Sequence, residues 1–168
     1  SEAASLDIDL PILMDDAQLV SEALGVTRIG EAVIYNPKTF EVVYRGPGKE
    51  SLDSALEEYL SGAEVQSTAV ATGTAIEFPA LAAHRSAVPS YSADVAPIIA
   101  EKCATCHRAG GIAPFAFDSS LTAQGWSPMI REVIMTKRMP PGQIDNKIGH
   151  KIANEMNLAD ADMQTLIH

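Results

Sequence analysis

Apolar positions along the chain recur first at helical and then at alternating spacing. Leu19, Val20, Ala23 and Leu24 fall on one helical face, with Asp15-Asp16 ahead of them to complement the helix dipole and Gly25 behind as a C-cap. A short helix is predicted there, and residues 7–14 before it alternate weakly enough to suggest a strand or extended lead-in. Residues 31–35 and 40–44 are rich in Val, Ile, Tyr and Phe, and Asn36-Pro37-Lys38-Thr39 between them has turn chemistry. An antiparallel hairpin follows from that pattern. After the break at Gly46-Pro47-Gly48, Ser51 is the expected cap of a helix carrying Leu52, Ala55, Leu56, Tyr59 and Leu60 on one stripe and ending at Gly62.

The pattern then weakens. Residues 67–90 read as a connector, with one added strand around 75–78, an alanine-rich stretch without caps over 80–89, and a solvent-facing His84. Helical spacing returns with Val95, Ile98, Ile99 and Cys103 in a helix capped by Ser92, in which Pro97 is tolerable only in the first turn. A second helix is expected to start at Ser127-Pro128, to bury Ile130, Val133 and Ile134, and to end with Lys137 and Arg138. Asn157 to His168 closes the chain as a short helix with Met163, Leu166 and Ile167 inward. The expected division is 1–66, 67–90 and 91–168, and the fold class is α+β, a small all-α domain preceded by a partial α/β segment.

Charge sharpens that division. Net charge is −10, but residues 1–66 hold 4 Lys/Arg against 13 Asp/Glu while residues 67–168 hold 8 against 9. An acidic first part argues against a nucleic-acid partner, and no apolar run approaches the roughly 18 residues of a membrane span. No signal-like segment opens the sequence at Ser1, so it reads as mature or cut from something longer.

The chemistry concentrates in Cys103-Ala104-Thr105-Cys106-His107, which uses both cysteines of the chain. C-x-x-C-H is the attachment pattern of c-type haem: on a helical turn, residues three and four apart share a face, so two thiols can reach one porphyrin while the histidine points at the iron. A thiol redox pair would be expected at the start of a βαβ unit rather than two-thirds along the chain. A zinc site would need His84, His150 or His168, none of which has finger spacing from the pair. Gly110-Gly111 and Pro114-Phe115 follow as a loop able to approach a porphyrin, and a backbone carbonyl such as that of Pro114 is a candidate acceptor for the His107 N–H. Pro140 and Pro141 push Met139 off the preceding helix, where its soft thioether suits the sixth iron position; His150 is the alternative, and Met129, Met135 and Met163 read as core.

Taken together, Cys103-Ala104-Thr105-Cys106-His107-Arg108, Gly111-Ile112-Ala113-Pro114-Phe115, Arg138-Met139-Pro140-Pro141 and the closing Leu158-Ala159-Asp160 helix resemble class I-like c-type cytochrome domains over about residues 91–168. The resemblance implies thioether links at Cys103 and Cys106, His107 as proximal ligand, Met139 as distal ligand and one covalent haem c. Leu10-Pro11-Ile12-Leu13-Met14-Asp15, Ala23-Leu24-Gly25-Val26-Thr27-Arg28 and Val33-Ile34-Tyr35-Asn36-Pro37 are similar to the C-terminal half of a thioredoxin-like, redoxin-type domain that lacks its redox cysteines. The expectation is an extracytoplasmic, periplasmic-type electron-transfer protein rather than an enzyme, meeting a redox protein partner near a haem edge flanked by Lys102, Arg108, Arg131, Lys137 and Arg138. The alternatives are a labile sixth ligand serving gas or peroxide chemistry, and a relay module docked on a larger enzyme.

Overall fold

The computed structural model describes residues 12–66, 69–144, 150, 152–153 and 155–168. Helices and a two-stranded sheet make an α+β chain that divides into two compact units, Ser21–Phe78 and Pro79–His168, the latter joined by the segment up to Val20. These units divide the chain after Val20 and after Phe78. The expected lead-in over 7–14 lies mostly outside the described residues. Among the described residues no helix is long and apolar enough to cross a membrane.

Helix α1 (Leu19–Ala23) ends as its sequence predicts. Gly25 adopts φ +64°, and the Val26 N–H donates to Ser21 O while the Gly25 N–H donates to Glu22 O, both at 2.9 Å. Strands β1 (Glu31–Asn36) and β2 (Glu41–Pro47) pair antiparallel, with a register shift between Ile34 and Tyr35. Asn36 builds the turn: its carbonyl accepts from the Phe40 N–H at 2.9 Å and its Oδ1 from the Lys38 N–H at 2.9 Å. Phe40, expected in the second strand, therefore sits in the turn at φ +60° with its ring edge-on to Tyr35. Helix α2 (Glu50–Leu60) packs on β2 through the fully buried Ala55; Lys49 rather than Ser51 occupies its cap position, and no side chain caps it. Of the strand expected at 75–78 only a bridge between Arg28 and Ala75 forms.

One carboxylate ties this unit together. Glu31, its side chain 3 % exposed, accepts from the Thr27 N–H at 2.7 Å, the Thr27 hydroxyl at 2.9 Å, the Arg28 N–H at 3.2 Å and the Arg45 guanidinium at 2.6 Å. Arg45 also donates to the Leu24 and Gly25 carbonyls that α1 leaves open. The Thr27 N–H, then Arg45, hold the Glu31 carboxyl at about 2 rather than 4.5. A depressed folded value means the contribution is complete above pH 4.5 and fades as pH falls toward 2. Glu31→Gln is expected to cost about 1.5–3 kcal/mol at pH 7, the range of hydrogen bonds to a charged group. Urea midpoints of the two proteins should converge between pH 4.5 and 2; a gap that stays constant would refute the assignment.

The other unit is all helical in its described part. The alanine-rich stretch expected as linker is helix α3 (Pro79–Ser86), with Pro79 at the first position, where its missing N–H costs nothing. Tyr91–Val95, Ala96–Ile98 and Ile99–Cys103 run on as one helix, α4. Its cap is Ser90, two residues before the expected Ser92: the Ser90 hydroxyl accepts from the Ala93 N–H at 3.1 Å, and the Ser90 N–H donates to Asp94 at 2.7 Å. Pro97 therefore lies mid-helix, and the flanking segments take wider turns, as where Ala104 N–H donates to Ile99 O at 2.8 Å. Helix α5 (Ser120–Met135) starts well before the expected Ser127-Pro128, because the Ser119 hydroxyl accepts from the Thr122 N–H at 3.2 Å and caps it there. It ends at Met135, so Lys137 and Arg138 lie beyond it. Helix α6 (Asp160–Ile167) packs on α3, α4 and α5. Ala17, Leu19, Ile134 and Met163 form the buried core, with Ile130, Leu158, Leu166 and Ile167 against it. Each large aliphatic side chain buried there contributes about 1.5–3 kcal/mol.

Candidate functional site

Helix α4 delivers Cys103 as its last residue, and the chain turns without leaving it: the Cys106 N–H and His107 N–H both donate to Cys103 O, at 3.1 and 2.9 Å. Cys103, Cys106 and His107 are thus brought onto one turn, all three half-buried, with neither thiol in a disulfide. Burial pushes the Cys103 thiol up to about 11, which leaves it a poor thiolate nucleophile at neutral pH. Gly111 folds back so closely that a Cβ there would stand 2.2 Å from Cys106 O. Ala113 N–H donates to the same carbonyl at 3.2 Å, and Phe117 N–H donates to His107 O at 3.0 Å. The loop after the motif is therefore pinned to the motif itself.

That loop fixes the imidazole. His107 Nδ1 lies 3.2 Å from the Phe115 carbonyl, one residue beyond the Pro114 carbonyl expected from sequence. A carbonyl oxygen only accepts, so Nδ1 carries the hydrogen and, in the neutral ring, the Nε2 lone pair is left for a metal. Phe115 and Phe117 pack against the ring at centroid distances of 4.5 and 5.2 Å, and Phe115 stacks on Trp126 of α5 at 4.3 Å and 9°. Phe115 belongs to the loop the sequence marks as able to approach a porphyrin, whereas Phe117 and Trp126 carry no signal in the sequence beyond following the motif. Trp126 remains 39 % exposed, and Ile112 in the loop is 92 % exposed, apolar surface of the kind a porphyrin covers. Two thiols on one turn, an imidazole of fixed tautomer and an aromatic wall fit a c-type haem.

Met139 stands differently. Its N–H donates to Val133 O at 3.1 Å and its carbonyl accepts from the Gln143 side chain at 2.9 Å, while the side chain is 41 % exposed. Pro140 after it is buried. Among the described residues no hydrogen bond joins Met139 to the motif. His150 is exposed, and His84, expected to face solvent, meets His168 instead. Of the basic residues near the motif, Lys102 pairs with Glu101 and Arg138 with Glu132, and Arg131 donates to Ile167 O at 3.2 Å. Arg108 and Lys137 are exposed and form no salt bridge among the described residues. Arg131 donates to a neutral carbonyl, so it keeps its positive charge, as do Arg108 and Lys137. A cavity of about 300 Å³ lies between α4, α5 and α6, lined by Tyr91, Ile99, Gln124, Ser127, Ile130 and Leu166 among others, and includes no residue of the motif. No three His, Cys, Asp or Glu side chains converge as a metal-ion site among the described residues.

No family model, curated protein or solved structure matches this chain.

Proposed function

We propose that the protein is an extracytoplasmic c-type cytochrome that passes single electrons through one covalent haem c and performs no catalysis of its own. The observation that supports this best is the turn holding Cys103 and Cys106 beside an imidazole whose Nδ1–H is committed to the Phe115 carbonyl. When bound, the haem supplies a reversible one-electron iron couple. Cys103 and Cys106 hold it by thioether links, and His107 presents Nε2 to the metal in an orientation its carbonyl partner keeps constant. Met139, its main chain anchored on both sides, would supply the second protein ligand and so leave no iron position for a substrate. Phe115 and Phe117 pack against the imidazole, with Trp126 stacked behind Phe115, and would limit water's access to it. A redox protein partner with an acidic contact surface would meet the edge near Arg108 and Lys137. Covalent attachment takes place outside the cytoplasm, hence the periplasmic or other extracytoplasmic location.

The exposed Met139 side chain favours a second reading, in which the sixth ligand is labile and the site takes a small gas or peroxide. Visible spectra separate the two. A sharp α band on dithionite reduction, a weak red-end charge-transfer band when oxidised, and no response to carbon monoxide are expected for His107/Met139 electron transfer. A carbon monoxide shift selects the labile site, and a protein purified from a haem-c-attaching host without a Soret band refutes both.

A further inference from the structure

Outside the haem-binding motif, two imidazoles from distant parts of the chain converge. His84 sits in the last turn of α3 and His168 directly follows α6; their Nδ1 atoms lie 2.8 Å apart, with ring centroids 5.0 Å apart and planes at 64°. We propose that His84 and His168 chelate a divalent transition-metal ion with tetragonal preference, Cu(II) above all, through their two Nδ1 atoms. Metal–imidazole bonds are about 2.0 Å long, so two of them at right angles place their nitrogens about 2.8 Å apart, whereas tetrahedral ligands would stand about 3.3 Å apart. The 2.8 Å separation is that of the hydrogen bond the metal-free pair makes, and it equals the cis spacing a square-planar ion needs, so the nitrogens have little distance to move. It is set by the packing of α3 on α6, so little side-chain freedom is lost when a metal binds.

Without metal the pair shares one hydrogen, one Nδ1 donating and the other accepting. On binding, the donor ring moves its proton to Nε2, both Nδ1 lone pairs face the ion, and no net proton is released. Both residues are half-buried, so water completes the coordination. Among divalent first-row ions, nitrogen sites of this kind hold Cu(II) most tightly. The Arg131 guanidinium donates to Ile167 O beside His168, and Arg85, next to His84, is exposed, so the ion must bind against two nearby positive charges.

The test uses the untagged full chain with any free thiols alkylated, so that Cys103 and Cys106 do not bind copper and the outcome is independent of the haem reading. Titration with Cu(II), followed by calorimetry and by electron paramagnetic resonance, is expected to show one equivalent bound with nitrogen superhyperfine structure. His84→Gln and His168→Ala should each weaken binding at least tenfold, and His150→Ala should leave it unchanged. Zn(II) should bind more weakly than Cu(II). Absence of stoichiometric binding to the parent chain, or equal affinity in the parent and both pair variants, overturns the proposal. His84→Gln retains a hydrogen-bonding side chain toward His168, and circular dichroism checks that it is folded.

Discussion

Replacing both Cys103 and Cys106 with alanine is expected to reduce covalently held haem from about one per chain to none after extraction with acidified organic solvent. The reason is local. Cys103 ends α4, and the bonds from Cys106 N–H and His107 N–H to Cys103 O keep all three side chains on the same turn, so each thiol has one role and no other cysteine can replace it. Single variants should retain one thioether and a shifted reduced α band. His107→Ala should lose the low-spin spectrum while both cysteines remain, because the Phe115 carbonyl has no other imidazole to orient. Full haem retention by the double variant would sink the attachment role, whereas loss of folding would be seen as a collapse of the helical signal of α4, α5 and α6.

Local signals in the sequence were read correctly where a side chain or a glycine makes the decisive bond. Asn36 forms its turn, Gly25 closes α1, and Ile130, Ile134, Met163 and Leu166 pack together as their spacing implies. The differences have separate physical causes. Ser127-Pro128 looks like a helix start, yet Ser119 caps the helix earlier and Pro128 is carried inside it. The stretch 80–89 has no capping side chains, so its helix was invisible until α6 gave it a surface to pack on. Phe40 had strand propensity, but the Asn36 carbonyl took its N–H into the turn.

The candidate site shows the same division. That Cys103, Cys106 and His107 share one turn is legible in the sequence, because three- and four-residue spacing brings side chains together wherever the chain coils. The acceptor for His107 was placed one residue early because Pro114 and Phe115 offer equivalent carbonyls on paper, and only the return of the loop through Gly111 decides between them. The pairing of His84 with His168 spans 84 residues and leaves no local trace.

Met139→Ala is expected to open the sixth position: the reduced protein should bind carbon monoxide, and its potential should fall on the order of 0.1 V or more, within the roughly 0.8 V that axial ligands span. The backbone argues for Met139 over the other methionines. Beyond α5 the chain reverses through Lys137 at φ +54°, and the Arg138 and Met139 N–H groups both donate to Val133 O, at 2.8 and 3.1 Å. With Gln143 held on its carbonyl and Pro140 buried behind it, the residue's main chain is anchored while the residue stays exposed enough for its thioether to meet a metal. Met129 and Met135 are held within the regular turns of α5, and Met163 is buried in the core. Met139→His should keep carbon monoxide out yet lower the potential, since a second imidazole stabilises ferric iron relative to a thioether. If Met139→Ala changes neither carbon monoxide binding nor potential, the ligand lies elsewhere, and His150→Ala becomes the variant in which both should change.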